Sequence, residues 1–394
     1  ILTWMHIETS PIGTLRPCCL AIDEIVNDNG DKFDLNNNSI SDVFNSTYMQ
    51  ELRAQFARGE KPSTCSRCWN EEASGRNSKR INTMYKFKDF TLEHNIDQTP
   101  ALSFVDLKLG NICNLKCRIC GSWSSSKWAK EEIDYANGSK DHIAHSFLKQ
   151  GAWPRQNESF WKDLHSIAKD ITSIEFTGGE PFLIQEHFDF LEYCVEQGYS
   201  KNIEIHYNTN ATVYPEHALE NIWPHFASVE IAFSIDDVGK RFEYQRYGAK
   251  WDVANNIIDK IHNSRNTINI QTQLCFTINL LNVLHIKELL EWADTKCFDH
   301  VHWNMLHDPK KLSVNCQEPH IRQALEKHLK TFKFANEKYE QERHNLISFI
   351  RNGSDDPQSL ESVKKYIAQT DNYRDQDLNN IDPILAQVIN ETYG

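Results

Sequence analysis

The residues best suited to chemistry here are cysteines, and they are unevenly spaced. Of eleven cysteines, seven fall in two tight groups. Cys18, Cys19, Cys65 and Cys68 lie near the start, and Cys113-Asn-Leu-Lys-Cys117-Arg-Ile-Cys120 forms a single run. Thiolates with two or three residues between them can converge on one metal centre, and an odd count argues against a disulfide framework. Three thiolates on one short loop suit three corners of a four-iron cluster and leave the fourth iron open. A structural zinc site usually wants four closed protein ligands. Cys194, Cys275, Cys297 and Cys316 stand singly and read as small buried apolar residues.

Elements able to position that run follow from the pattern around it. Strand-like stretches occur at 102–109, 173–176, 203–207, 229–235, 269–277 and 301–305. Helical stretches at 127–135, 158–169, 185–197, 215–222, 251–263 and 286–294 lie between them. This alternation argues for parallel βαβ units, as a barrel or an open sheet. Residues 1–75 read as a small α+β module: extended pieces at 2–7 and 21–26, a turn-rich segment at 27–38, and a helix from Ser41 to Arg58 closed by Gly59. Residues 76–100, with Arg76, Lys79, Arg80, Lys86 and Lys88, read as a solvated linker; the other reading is a surface for an acidic substrate segment. Residues 101–316 form the α/β region. Residues 317–394 read as a polar helical extension with a long helix at 320–345, and no chemistry is assigned to them. Trp123, Trp128, Trp153 and Trp161 read as core packing.

Further motifs stand at successive strand ends: Thr177-Gly178-Gly179-Glu180-Pro181, Tyr207-Asn208-Thr209-Asn210-Ala211, Ser234-Ile235-Asp236-Asp237, and Arg246-Tyr247-Gly248. Together with the C-x3-C-x2-C run after a first strand, they resemble, in order, the motifs of the radical S-adenosylmethionine (radical SAM) superfamily. The resemblance covers about residues 101–310. It implies a partial (β/α)6 TIM-type barrel, a four-iron cluster on Cys113, Cys117 and Cys120, and S-adenosylmethionine on its open iron. It also implies roles for single residues. The segment Gly178, Gly179 and Glu180 would hold the cofactor's amino group, Ser234 and Arg246 its carboxylate, and Asn210 and Asp236 its ribose. Asp236, Asn208 and Asn210 equally suit strand-end turns. Ile119 departs from the family, which usually has an aromatic residue before the third cysteine; an aliphatic side chain would cover the adenine instead. His302, His307 and Asp308 read as ordinary strand-end polarity.

Gly13-x4-Cys18 followed by Cys65-x2-Cys68-Trp69 resembles the auxiliary iron–sulfur modules called SPASM and Twitch, here placed before the barrel. Cys18, Cys65 and Cys68 would be ligands, with Cys19 the weaker candidate; a zinc ribbon is the other reading. The implied activity is reductive cleavage of S-adenosylmethionine to a 5′-deoxyadenosyl radical. That radical abstracts hydrogen from a peptide or small polar substrate, and the auxiliary cluster assists oxidation. The implied electron donor is of flavodoxin or ferredoxin type. The alternatives are a catalytically silent iron–sulfur scaffold and a tRNA-modifying radical enzyme.

A formal charge of −13 argues against nucleic acid as the main partner. No apolar run is long enough to span a membrane, and the start ILTWMHIE lacks the features of a signal peptide. The expectation is therefore a cytoplasmic, reducing setting and a chain that begins inside a longer native sequence.

Overall fold

The computed structural model describes residues 1–73, 77–88, 100–354 and 359–390. Its strands are β1 (His6–Thr9), β2 (Leu15–Arg16), β3 (Phe104–Lys108), β4 (Lys116–Cys117), β5 (Ser173–Thr177), β6 (Glu204–Thr209), β7 (Ser228–Ser234), β8 (Arg246–Tyr247), β9 (Ile270–Ile278) and β10 (His300–Met305). Among the described residues, eight strands form one sheet in the order β10-β9-β7-β6-β5-β3-β1-β2, which does not close on itself. All pairs are parallel except β1 with β2. The six βα strands of the sequence reading are present within a residue or two. Together they make the partial barrel of a mixed α/β fold.

One face of the sheet is apolar and covered by helices. Ile174, Phe176, Tyr207, Phe233, Phe276 and Trp303 lie on it and are buried. The helix Gln185–Glu196 meets it through His187 on Phe176, and residues 334 and 339 meet it through rings on Trp303. Alternation of buried and half-buried positions along β9 shows the pleat directly.

Several elements differ from the sequence reading. The start is one helical turn (Leu2–Met5) before β1, and β1 joins the main sheet beside β3, so the first segment shares its backbone ladder with the barrel. Residues 21–26 form no strand, because Asn27 folds the chain back by accepting from Asn29 and Asp31 backbone N–H groups. The helix expected from Ser41 is two helices, Ile40–Phe44 and Thr47–Ala57, each with its own serine cap, Ser39 and Ser46. Residues Lys79–Lys86, expected in a linker, form a helix capped by Ser78. Most of the remainder of that expected linker, residues 76 and 89–99, lies outside the described residues. The long helix at 320–345 is two, Pro319–Leu329 and Glu337–Arg351, the second capped by Asn336. Trp128, Trp153 and Trp161 are buried as expected, whereas Trp123 is exposed.

Candidate functional site

The cysteine run leaves β3 through Gly110 and Asn111. Gly110 has φ +77, and a side chain there would strike the Gly151 carbonyl. Asn111 is buried and donates through Nδ2 to the carbonyls of Ser122 and Phe147, which braces both ends of the loop. Trp128 Nε1 donates to the Cys117 carbonyl at 2.8 Å and Ser125 Oγ to that of Leu115 at 2.5 Å. These bonds satisfy buried carbonyls and fix the loop.

Cys117 lies in β4, which pairs antiparallel with β8, so Arg246 is its direct cross-strand neighbour. Arg246 NH1 stands 3.8 Å from Cys117 Sγ, and NH2 lies 2.8 Å from Asp236. Asp236 is held in turn by the Thr277 backbone N–H at 2.9 Å. Cys113 Sγ accepts from Leu115 N at 3.5 Å and Asn210 Nδ2 at 3.8 Å. Burial pushes the Cys113 thiol up to about 12. A hydrogen bond from Cys120, helped by Arg246, holds Cys117 below the usual thiol range, and the same bond raises Cys120. Among the described residues no three His, Cys, Asp or Glu groups converge on a single metal-ion position; Cys117 and Cys120 share a hydrogen bond, and Cys113 is close enough for its charge to act on Cys120.

Glu180 is buried, and three donors take up its carboxylate: Thr209 Oγ1 and Asn210 N at 2.8 Å, and Phe182 N at 3.3 Å. Burial pushes its pKa to about 7 despite those bonds. The glycines before it pack closely on the cysteine loop. A Cβ on Gly179 would lie 2.2 Å from the Ile112 carbonyl, and Gly178, at φ +115, faces the Leu109 and Gly110 backbone. Gly179 N and Glu180 N donate to Gly110 and Ile112 carbonyls. The pair therefore lets the strand end lie flat on the cysteine loop. Ser234, at the end of β7, and Ile119, in the cysteine run, are half-buried. His302, His307 and Asp308 are exposed at the end of β10.

The donor set fits an iron–sulfur centre with an anionic ligand beside it. Cys113 and Cys117 are supplied with N–H donors, and Arg246 Nε is a buried donor without a partner, which a carboxylate would satisfy.

A feature absent from the sequence reading lies on the far side of the loop. Arg118, between two of the cysteines, is buried and spans to the helix Ser359–Arg374. Its guanidinium donates to Thr370, to Asp371 at 2.5 Å, to Gln376 at 2.9 Å and to the Tyr244 carbonyl at 3.0 Å, and Tyr366 OH returns a bond to the Arg118 carbonyl at 2.6 Å. The C-terminal region is thus a brace for the cysteine loop. The unusual Cys-Arg-Ile-Cys arginine was the only available signal.

In the first segment, Cys18, Cys65 and Cys68 line one cavity of about 100 Å³ together with Lys79 and Arg80. Cationic side chains beside three thiols suit an anionic cluster. Cys19 is different: its sulfur accepts from Lys79 Nζ at 2.7 Å and does not line that cavity. Cys194 is fully buried in the core, whereas Cys297 is exposed.

Comparison with known proteins gives two family matches: the radical SAM superfamily over residues 107–294 and an iron–sulfur cluster-binding domain (SPASM) over residues 2–69. No curated protein matches. Similar solved structures include native anSMEcpe with bound AdoMet, at 17% identity and TM-score 0.35, over 51% of this chain and 51% of that one. The SuiB structure from Streptococcus suis matches at 13% identity and TM-score 0.36, over 82% of this chain and 67% of that one. A TYW1 structure with a lysine-pyruvate adduct matches at 16% identity and TM-score 0.32, over 52% and 65%. A radical SAM domain is catalytic and holds a four-iron cluster and S-adenosylmethionine, and a SPASM domain holds auxiliary iron–sulfur clusters. Among the described residues no helix is long and apolar enough to cross a membrane.

Proposed function

Because this chain carries a radical SAM domain with an iron–sulfur cluster-binding domain ahead of it, we propose that it cleaves S-adenosylmethionine reductively and abstracts hydrogen from a peptide or small polar substrate. The observation that carries this reading is the ladder pairing Cys117 with Arg246, which sets a guanidinium with an unpartnered buried N–H beside the thiol trio. When bound, the reduced cluster and S-adenosylmethionine supply a 5′-deoxyadenosyl radical able to take hydrogen from an unactivated C–H.

The protein's share is position and protection. Cys113, Cys117 and Cys120 would hold the cluster. Arg246, oriented by Asp236, would grip the cofactor's carboxylate, with Ser234 beside it. Asp236 is engaged by Arg246 and Thr277 N, so its contribution is to aim the arginine, and Asn210 is the better-supported ribose neighbour. The Glu180 carboxylate is taken up by three donors within the fold, so the 178–180 segment would meet the amino group through its backbone carbonyls. Ile119 would cover the adenine. The buried residues in and beneath the loop, Leu115, Trp128 and Arg118 among them, would help to keep water from the radical.

Cys18, Cys65 and Cys68 would hold the auxiliary cluster and receive an electron during product oxidation. Cys19 is left out of that set because Lys79 occupies it. A flavodoxin- or ferredoxin-type donor would reduce the first cluster. The domain boundaries we propose are an auxiliary module at 1–75, the barrel at 101–316 and the helical region 317–394, with β1 lent by the first to the second. A cytoplasmic location accords with oxygen-sensitive clusters.

The test is anaerobic reconstitution with iron and sulfide, followed by dithionite and S-adenosylmethionine. Release of 5′-deoxyadenosine is expected. A fully loaded protein that releases none overturns the reading and leaves an iron–sulfur scaffold.

A further inference from the structure

The face of the sheet opposite the helices is polar across nearly its whole width. Register places Glu8, Asp106, Glu175, His206, Glu230 and Gln271 side by side in one row. Toward the cysteine loop, the next row carries Lys108, Thr177 and Asn208. Exposure is graded along the row. Glu8 and Asp106 are 0% and 3% exposed, Glu175, His206 and Glu230 are half-buried, and Gln271 is exposed. The face is thus a trough, deep at β1 and β3 and open to solvent toward β9 and β10.

Two of the row's four carboxylates have close ion-pair partners. Glu8 is paired with Arg16 at 2.9 Å and with Lys108. Glu230 is paired with His206 at 2.7 Å. For Glu175 burial is outweighed by Lys79 and nearby histidines, and its carboxyl stays below the usual range. Asp106 behaves the opposite way. Burial, then Glu175 and Glu8, push it up to about 7 despite Lys108 and Lys79. Its Oδ1 is buried and has no hydrogen-bond partner.

A second orphan stands diagonally beside it. His6 is fully buried, and its Nδ1–H donates to the Pro17 carbonyl at 3.0 Å, which leaves Nε2 as an acceptor; that atom too has no partner. Burial drops this imidazole to about 4, so it stays neutral. The ammonium of Lys79 donates to Cys19 at 2.7 Å and its charge acts on both Glu175 and Asp106, yet it makes no hydrogen bond to Asp106 Oδ1 or His6 Nε2. Two inward acceptors therefore lack a donor, and leaving such groups unmade is costly.

Resting on the radical reading above, we propose that the deep end of this trough, at Asp106 and His6, binds a primary alkylammonium group of the substrate. An ammonium brings three N–H donors for the two orphan acceptors and a positive charge that favours the ionised carboxylate. An alcohol brings one donor and no charge, and a carboxylate brings neither. Asp106 and Lys108 are two residues apart on a strand that leads into the cysteine loop, a rise of about 7 Å. An ammonium anchored at Asp106 thus has an alkyl chain's length along the face before the thiol trio.

The probe is n-pentylammonium against 1-pentanol, titrated calorimetrically at pH 8 into the reconstituted protein, with 5′-deoxyadenosine release assayed on the same samples. Wild-type protein is expected to prefer the ammonium by about tenfold, the size of one hydrogen bond to a charged group. Asp106→Asn should erase that preference while keeping wild-type iron content and a cooperative melting transition, and Asp252→Asn, on an exposed helix surface, should keep it. Equal binding of the two probes by wild type overturns the inference, as does an unchanged preference in Asp106→Asn. Loss of 5′-deoxyadenosine release in wild type with the preference intact overturns the radical reading alone.

Discussion

Replacing Arg118 with methionine should uncouple the cysteine loop from the C-terminal helix. The guanidinium makes four hydrogen-bonding contacts and stacks 3.7 Å over the Tyr244 ring. Removing one partner of a buried ion pair costs about 3–5 kcal/mol. Asp371 keeps bonds from Tyr244 OH at 2.9 Å and Leu378 N at 3.0 Å, which places the loss near the lower end, about 3 kcal/mol. For a chain of 394 residues the unfolding entropy is about 0.8 kcal/mol/K, so the melting temperature should fall by about 4 °C. Differential scanning calorimetry reads this, and iron analysis after reconstitution should show the loss falling on the trio. Adding Asp371→Leu should recover half or more of the stability, because no carboxylate is then left buried alone. A single-variant shift under about 1 °C, or a double variant worse than the single by the full cost again, refutes the clamp.

Further outcomes follow from the same geometry. Cys117→Ala should abolish 5′-deoxyadenosine release, whereas Cys65→Ala should keep release and lower iron content; unchanged iron in Cys65→Ala removes the auxiliary site. Cys19→Ala should leave iron content as in wild type, since its thiol is held by Lys79. Gly179→Ala should destabilise by roughly 3 kcal/mol or more, because its Cβ would meet the Ile112 carbonyl at 2.2 Å; urea unfolding checks it. Asp106 has a carboxyl raised from 3.8 to about 7 by burial. The folded state therefore holds a proton that the unfolded chain has lost between those values, and stability from this group falls as pH rises through 7. Asp106→Asn should gain on wild type between pH 5 and pH 8 by a few kcal/mol at most, on the order of 1–3; a difference independent of pH contradicts the shift.

Much of this architecture was legible because strand runs such as Ile270–Ile278 carry their own period, and motif residues sit where those strands end. The polar trough was visible in the same run, with Gln271, Gln273, Cys275 and Thr277 on one face, yet the apolar half drew the reading. What could not be read depended on distant partners. Nothing local in His6–Thr9 announces pairing with β3, and nothing in Thr370 or Asp371 announces Arg118. Nor does the pair Gly178-Gly179 announce that it lies against the backbone of the cysteine loop. The first helix begins at Ile40, one residue before the expected start, because the Ser39 side chain reaches the Asp42 N–H.

The most direct test of the account is the Mössbauer spectrum of 57Fe-loaded Cys65→Ser protein, which isolates the centre on Cys113, Cys117 and Cys120. Adding S-adenosylmethionine should shift one iron of the four and leave the other three as they were. A spectrum that does not respond, or a trio that takes zinc in place of iron, contradicts an open iron at this loop.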